Sequence, residues 1–189
     1  MLVSETSLEG VFLIEPSSFN DDRGYFLEIW NQKEFSQHKI PMGSFVQDDI
    51  SFSKAGTLRG LHFQHPHDQG KLVWVSKGRV LDIVVDVRRG SPSYGKHISI
   101  ELIDNNHLQL WIPCGFAHGF LALEDTLFQY KCDNFYAPES AHKLLWSDPE
   151  LNIRWPKIVK DYVISSKDAA GKLLSEFTHK ELPDYSEPT

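Results

Sequence analysis

The chain has 189 residues, a formal net charge of -7 and 41% hydrophobic residues, which suits one globular domain of ordinary size. The negative balance argues against a duplex-binding protein, because lysine and arginine contacts to phosphate supply most of that affinity. No apolar run approaches the roughly 20 residues of a membrane span, and no basic region followed by an apolar run opens the chain. Its two cysteines, Cys114 and Cys132, are therefore expected to be reduced in a cytoplasmic protein.

Short apolar segments separated by turn residues run through most of the chain. They cover residues 11–14, 25–30, 45–47, 72–75, 80–87, 98–102 and 108–112. Short strands at this spacing predict an all-β antiparallel sandwich or barrel. The loop Ser76-Lys77-Gly78-Arg79 between two of them is typical of a hairpin. We expect a single domain over 1–189, a barrel core at about 45–137 and a loosely held tail over 183–189.

Two segments carry helical signals. Asn31, followed three residues later by Glu34, predicts a short helix that ends before Ile40-Pro41. Ser165 and Asp168 precede the apolar residues of a predicted carboxy-terminal helix, which Gly171 weakens. That predicted helix continues through Ala169, Ala170, Leu173, Leu174 and Phe177.

Three histidines, His62, His65 and His67, lie within six positions. Clustered imidazoles suggest a transition-metal site, since neutral histidine is the commonest metal ligand. For His65 and His67 we favour a solvated turn. His62 lies between Leu61 and Phe63 in a predicted strand, where a hydrogen-bonded core histidine is more common than a catalytic one.

The order His65-Pro66-His67, Lys71, Gly78 and then Pro113 to His118 resembles the two-part spacing of the cupin family of barrels. In metal-binding cupins a carboxylate stands roughly where Lys71 does. A lysine is a fixed positive charge with donors only, so it repels a divalent ion. We therefore interpret the barrel as kept and the metal as lost, and predict no metal site.

A longer series of motifs extends from about Val11 to Asp168. Its members are Asp22-Arg23-Gly24-Tyr25-Phe26, Val46-Gln47-Asp48, Leu58-Arg59-Gly60-Leu61-His62-Phe63-Gln64, Gln69-Gly70-Lys71-Leu72-Val73, Val85-Asp86-Val87-Arg88-Arg89-Gly90-Ser91-Pro92, Trp111-Ile112-Pro113, Gly115-Phe116-Ala117-His118-Gly119-Phe120, Gln129-Tyr130-Lys131-Cys132, Trp146-Ser147-Asp148-Pro149 and Ser166-Lys167-Asp168. In this order they resemble the dTDP-4-dehydrorhamnose 3,5-epimerases, a cofactor-free family of cupin-type sugar-nucleotide epimerases.

The resemblance implies a jelly-roll barrel with a few short helices, a homodimer, no cofactor and a dTDP-4-keto-6-deoxyhexose substrate. The implied reaction inverts C3 and C5, the carbons that flank the C4 ketone. It implies His62 as the general base, Asp168 as the group that orients it and Tyr130 as the acid on the opposite face of the sugar ring. The implied substrate-binding residues are Arg23, Glu28, Gln47, Arg59, Lys71, His118 and Lys167.

These residue types suit the chemistry. Histidine, with an unperturbed pKa of ~6.5, is a base near neutral pH, and tyrosine, at ~10, is a protonated donor. The C4 oxyanion needs a positive donor, for which Lys71 is the candidate. Arginines such as Arg23 and Arg59 match phosphate oxygens in pairs, and Phe135 or Tyr136 is a candidate for stacking on thymine.

The chain departs from the family pattern in two segments. Asp49 stands where the family usually carries asparagine. A carboxylate near a dianionic ligand is unfavourable unless it accepts from a sugar hydroxyl, and on that condition we include Asp49 among the substrate-binding residues. Ala141-His142 stands where the family often places a second acidic residue.

Alternative interpretations remain open. Arg23 can pair with Asp21 or Asp22 in a surface turn, and Asp168 can be part of a helix cap. An epimerase acting at one carbon only, or on another nucleotide, would share the same histidine, tyrosine and aspartate. A non-catalytic sugar-nucleotide-binding cupin and a metal-dependent cupin isomerase or oxygenase are further alternatives.

Overall fold

A computed structural model describes residues 1–38, 40 and 44–187. Its fourteen strands, β1 to β14 in chain order, are Leu2–Glu5, Phe12–Glu15, Ser18–Asp21, Gly24–Leu27, Gln47–Ser53, Thr57–Gln64, Lys71–Lys77, Arg79–Asp86, His97–Ile103, Gln109–Ile112, Phe116–Ala122, Thr126–Cys132, Ala141–Lys143 and Val163–Ile164. The two α-helices are α1, Gln32–Gln37, and α2, Ser166–Ala169. Short 3₁₀ turns cover Pro138–Ser140 and Leu174–Glu176.

The strands form two large sheets and one separate hairpin. One sheet has the order β1-β2-β10-β7-β12-β5, and the other has the order β13-β6-β11-β8-β9, with β14 added in parallel to β6. Strands β3 and β4 pair only with each other among the described residues. This arrangement confirms the predicted all-β jelly-roll barrel. The sheets extend beyond the predicted core at about 45–137, because β1, β2, β13 and β14 join them.

The main hydrophobic core lies between the two sheets. Its buried side chains come from both, for example Val73 and Phe128 from the first sheet and Val84 and Phe120 from the second. The Phe120 and Phe128 rings stack with centroids 4.3 Å apart. Alternating strand residues thus place apolar side chains between the sheets, and polar residues of the same inward faces line a pocket beside Phe120 and Phe128.

The predicted hairpin at Ser76 to Arg79 is wrong. Strand β7 pairs with β10 and β12, whereas β8 pairs with β9 and β11, so the chain crosses from one sheet to the other at Gly78. Gly78 has a φ of +89°, and a Cβ there would lie 2.5 Å from the Asp125 carbonyl oxygen. The glycine that suggested a hairpin therefore serves a tight crossing between sheets.

The predicted amino-terminal helix is confirmed, and Asn31 caps it by accepting hydrogen bonds from the backbone N–H groups of Lys33 and Glu34. Part of its predicted stop, Pro41, lies outside the described residues. The carboxy-terminal helix is much shorter than predicted, because α2 ends at Ala169.

The chain leaves α2 to pair with another backbone segment. The N–H of Lys172 donates to the Lys143 carbonyl at 3.0 Å, and the N–H of Leu145 donates to the Lys172 carbonyl at 2.7 Å. Gly171 permits this approach, since a Cβ there would lie 2.9 Å from the Leu145 nitrogen. These tertiary hydrogen bonds outweigh the helix propensity of the following alanine and leucine pattern.

The tail is held more firmly at its start than predicted. Backbone hydrogen bonds join Arg89 to Pro183 and Tyr185, and the Tyr185 hydroxyl donates to the Glu9 carboxylate at 2.8 Å. Leu182 is buried in a core cluster just before it. The last two residues lie outside the described part of the chain.

Gly119 permits the closest approach of two central strands. It lies where the register of β6 against β11 shifts, and a Cβ on it would lie 2.4 Å from the Arg59 carbonyl oxygen and 2.9 Å from the Gly60 Cα. Both contacts are with backbone, which cannot rotate away. The glycine therefore lets β6 and β11 pair on both sides of the shift.

We expect Gly119→Ala to lower the free energy of unfolding by about 3 kcal/mol, as measured by urea denaturation. Gly90→Ala is the control, because Gly90 has a φ of +80° but open space around it. Gly90→Ala should lower the free energy of unfolding only through backbone strain, by about 1 kcal/mol. Equal losses in the two variants would contradict the crowding argument.

Candidate active site

The two sheets enclose a pocket of about 520 Å³. Most of the predicted site residues line it, and they come from both sheets and from α2. They are Gln47, Asp49, Arg59, His62, Lys71, His118, Tyr130, Lys167 and Asp168. Because β5, β7 and β12 face β6 and β11 across the barrel, residues distant in sequence share one cavity.

His62 and Asp168 form a hydrogen-bonded pair in the pocket. Nε2 of His62 lies 2.7 Å from Oδ1 of Asp168, and the side chains are 42% and 9% exposed. Ser165 caps α2 by accepting from the Asp168 N–H, so the start of this short helix fixes the carboxylate. Burial tends to raise the pKa of Asp168, but the hydrogen bond and charge of His62 outweigh it and the pKa lies below its usual value.

Tyr130 faces the same pocket from the other sheet. It lies on β12 opposite Asp49 of β5, and its ring packs beside Phe128 with centroids 6.3 Å apart. Burial raises the pKa of Tyr130 to about 12, and the negative charge of Asp49 adds to the effect. A raised pKa keeps the proton on the phenol to higher pH, so Tyr130 is a proton donor throughout the neutral range.

Lys71 lies near a buried histidine–carboxylate pair at the floor of the pocket. Nε2 of His118 lies 2.9 Å from the Asp82 carboxylate, whose side chain is fully buried. Burial lowers the pKa of Lys71, and the negative charges of Asp49 and Asp82 oppose that shift. Burial raises the pKa of Asp82, which His118 opposes. Lys71 is thus a partly desolvated cation in the pocket, where an oxygen atom of a ligand can approach it.

Polar side chains along β5 and β6 form another wall. The Gln47 amide nitrogen donates to Asp49 at 2.6 Å, and the Gln47 carbonyl accepts from the Tyr136 N–H at 3.0 Å. Arg59 donates through Nε to the Ser53 hydroxyl at 2.9 Å. This wall offers both donors and acceptors to a polar ligand.

Two predicted binding residues, Arg23 and Glu28, do not line this pocket. Arg23 lies in the turn of the β3–β4 hairpin, where its side chain is 90% exposed and forms an ion pair with Asp21 at 2.5 Å. This is the surface-turn pairing that the sequence also suggested. Within one chain, the structure does not bring these two residues to the other site residues.

The remaining histidines of the cluster lie outside the pocket lining. Nδ1 of His65 lies 3.1 Å from Asp68, and His67 is exposed with a φ of 67°. Among the residues that the structure describes, no three His, Cys, Asp or Glu side chains are grouped as a metal site would require.

Several pocket residues were missed by the sequence reasoning. They are Ser51, Gln64, Gln69, His142, Lys143 and Ser165 at the wall and Asp82 beneath it. Period-two alternation from Gln47 and Asp49 predicts that Ser51 shares their face. A charged Asp82 within an apolar strand was a second usable signal. No sequence pattern predicts that Lys143 lines the pocket, because its strand β13 has only three residues and is too short to show a period-two alternation.

The fold and the pocket together define a cupin-type barrel protein equipped for proton transfer on an anionic ligand. The family model described as dTDP-4-dehydrorhamnose 3,5-epimerase matches residues 5–176. The chain belongs to this family of epimerases.

Three members of the family are similar to this chain over almost their whole length. The dTDP-4-dehydrorhamnose 3,5-epimerase of Methanothermobacter thermautotrophicus is 45% identical over 174 residues, which are 91% of this chain and 94% of that protein. The Escherichia coli K12 enzyme is 44% identical over 184 residues, 96% of this chain and 99% of that one. The Legionella pneumophila dTDP-6-deoxy-D-glucose-3,5-epimerase, solved with dTDP-4-keto-L-rhamnose, superposes with a TM-score of 0.94 at 41% identity, covering 98% and 99% of the two chains.

Proposed function

We propose that this protein epimerises C3 and C5 of dTDP-4-dehydro-6-deoxy-D-glucose, giving dTDP-4-dehydro-L-rhamnose. The observation that carries the proposal is the His62–Asp168 pair on one wall of the pocket with Tyr130 on the facing sheet. Inversion beside a ketone needs a base on one face of the sugar ring and an acid on the other.

In the proposed reaction His62 removes the proton from the carbon beside the C4 ketone. The electron pair of that C–H bond moves to form an enolate, whose negative charge lies on the C4 oxygen. Asp168 accepts from the imidazole, which fixes its tautomer and stabilises the imidazolium as it forms. The second carbon then reacts in the same way.

Tyr130 is proposed to return a proton to the opposite face of the ring. Its hydroxyl bond breaks as the new C–H bond forms, and the enolate collapses to the ketone. Exchange with water afterwards removes the proton from His62 and restores the one on Tyr130. The C4 ketone itself makes the neighbouring C–H bonds acidic, and Lys71 stabilises the enolate oxygen.

The nucleotide is proposed to lie along the polar walls. Arg59 and Lys167 offer positive charge to the diphosphate, and Gln47, Asp49 and His118 offer partners for sugar hydroxyls. Tyr136 lines the pocket and is largely exposed, which suits stacking on thymine; Phe135, also exposed, does not line it.

Mass spectrometry of the substrate incubated with the protein in D₂O tests the function. We expect two deuterons in the product, one at each inverted carbon. One deuteron would instead support epimerisation at a single carbon. Binding without deuterium uptake would support a sugar-nucleotide-binding role, and neither binding nor uptake would contradict the proposed substrate.

We expect Tyr130→Phe to slow full epimerisation by about 100-fold while hydrogen–deuterium exchange at the carbon facing His62 continues. The reason is that the base is intact and the donor on the other face is lost. NMR of the substrate in D₂O distinguishes exchange from inversion. Inversion at the wild-type rate would contradict the assignment of Tyr130.

The pH profile gives an independent check of the same tyrosine. Because burial raises the pKa of Tyr130 to about 12, it stays protonated well above neutral pH. Burial lowers the pKa of Lys71, so Lys71 loses its charge at lower pH than an ordinary lysine. We therefore expect the alkaline limb of kcat/KM to be retained in Tyr130→Phe.

We also propose that the protein works in the cytoplasm as a homodimer. Free Cys114 and Cys132 suit a reducing compartment. No helix among the described residues has the length and apolar character to cross a membrane.

Exposed apolar side chains support the dimer. Among the described residues, strand β5 is the edge of its sheet, and its Ile50 and Phe52 are more than half exposed. The β3–β4 hairpin exposes Phe19, Tyr25 and Phe26. An unpaired edge with exposed apolar groups is suited to pairing with another chain. In such a dimer, the hairpin of the second copy would bring its Arg23 and Glu28 to the pocket.

Refolding a mixture of two impaired variants tests this arrangement. We expect His62→Ala and Arg23→Ala proteins, each weakly active alone, to regain about a quarter of wild-type activity after unfolding and refolding together. Half of the refolded dimers then hold one site with both an intact His62 and an intact Arg23 from the other chain. No recovery would contradict a site shared between chains, as would a monomer by sedimentation.

A further inference from the structure

We propose that Lys143 is a substrate-binding residue that holds the diphosphate of the sugar nucleotide from the β13 side of the pocket. The inference rests on the proposed function and adds a cation to its binding site. Strand β13 pairs antiparallel with β6, and Lys143 lies directly opposite His62.

Residues directly opposite each other in an antiparallel pair project from the same face of the sheet. His62 faces the pocket, where it meets Asp168, so Lys143 faces the pocket as well. The pocket lining includes Lys143 beside His142 and Ala141. Opposite Cβ atoms are about 5 Å apart, so the lysine stem starts next to the base and can extend past it.

The ammonium group of Lys143 has no hydrogen bond or ion pair within the part of the chain that the structure describes. Elsewhere Lys131 and Lys172 each meet a carboxylate. Lys143 is only partly exposed and lines the pocket, so part of its side chain is shielded from bulk water. An unpaired cation at such a position is available to an anionic ligand.

The charges around the pocket favour a ligand with more than one negative charge. In the described part of the chain, four cationic side chains line it, namely Arg59, Lys71, Lys143 and Lys167, against the carboxylates of Asp49 and Asp168. Both carboxylates already have hydrogen-bond partners, Gln47 for Asp49 and His62 for Asp168. In a protein whose net charge is -7, this local positive excess points to a dianionic group.

The diphosphate is the group in the proposed substrate that fits. It is bonded to C1 of the sugar, and the reacting carbons lie within two bonds of C1 through the ring. A cation beside His62 therefore reaches the phosphate oxygens when a reacting carbon lies at the imidazole. Lys71, deeper in the pocket, is left for the C4 oxygen.

Lys143→Met removes the charge and keeps the length of the side chain. We expect the Kd for dTDP, measured by calorimetry, to rise about tenfold, while the Kd for thymidine stays unchanged because thymidine has no phosphate. KM should rise and kcat should stay within about twofold of wild type. Lys143→Arg should restore most of the dTDP affinity.

Lys96→Met is the control, because Lys96 is exposed and lies outside the pocket lining. Wild-type dTDP affinity in Lys143→Met would overturn the proposal, and so would an equal loss of thymidine binding. If the acid limb of kcat/KM instead showed a raised apparent pKa while dTDP affinity stayed unchanged, Lys143 would act on the catalytic base and not on the diphosphate, and the proposal would be overturned.

The wild-type protein separates this proposal from the proposed function. Deuterium uptake by the wild type together with an unaffected Lys143→Met variant would reject only the role of Lys143. A wild type that binds neither dTDP nor the sugar nucleotide would reject both.

Discussion

His62→Ala is expected to lose deuterium uptake at both carbons, with kcat about 1,000-fold or more below wild type. The imidazole meets a carboxylate at 2.7 Å and its side chain remains 42% exposed, so it is open to a ligand. Alanine removes the base without burying a new group, so the fold should persist. The measurement is single-turnover mass spectrometry in D₂O beside circular dichroism of the folded variant.

Three comparisons sharpen that result. Added imidazole should restore part of the exchange in His62→Ala, since a small base can enter the emptied space. Asp168→Asn should also be slow, and combining it with His62→Ala should cost little more, because the two residues act as a unit. His38→Ala, which alters an exposed histidine at the end of α1, should behave as wild type. Undiminished exchange in His62→Ala would reject the assignment.

Lys71→Met is the second change with a large expected effect. Removing one preorganised donor from a developing oxyanion typically costs about 100-fold or more in rate. Lys71 is suited to that role because burial already disfavours its isolated charge, which the enolate would then compensate. We expect turnover to fall by at least that factor, while dTDP affinity stays within about threefold, since Lys71 is not assigned to the diphosphate.

The same strand offers a matched control for this substitution. Lys77 ends β7 in solvent and does not line the pocket, so Lys77→Met should leave turnover unchanged. Methionine fills the volume of the lysine stem, and therefore stability measured by urea should be kept in both variants. Turnover that survives in Lys71→Met would mean that the enolate oxygen has another partner.

Sequence patterns predicted much of this fold because the relevant signals are local. Alternating apolar residues located the strands, and Asn31 located the start of α1. Turn chemistry at Gly78 could not distinguish a hairpin from a crossing, since both need a positive φ. The end of α2 was missed because it depends on hydrogen bonds from Lys172 to a distant segment.

The site residues also divide into those that local motifs predict and those that depend on contacts between distant segments. Motifs identified nine residues that line one pocket, although their spacing alone could not bring His62 to Asp168. Arg23 and Glu28 match the family's binding positions but do not line the pocket of one chain, because a motif does not say where its segment lies in the fold. Lys143 was missed because its orientation follows from the register of β13 against β6, which only the folded chain defines.

The crossing at Gly78 also bears on how quickly the protein folds. Because β7 and β8 enter different sheets, β7 must find β10 and β12 farther along the chain, and β8 must find β11 as well as its neighbour β9. His62 meets Asp168 across 106 residues. Topologies dominated by such non-local pairings have high contact order and fold in milliseconds to seconds rather than microseconds. Proton exchange on the substrate should therefore appear late in refolding, after both sheets have closed, and serves as a reporter of the final assembly step.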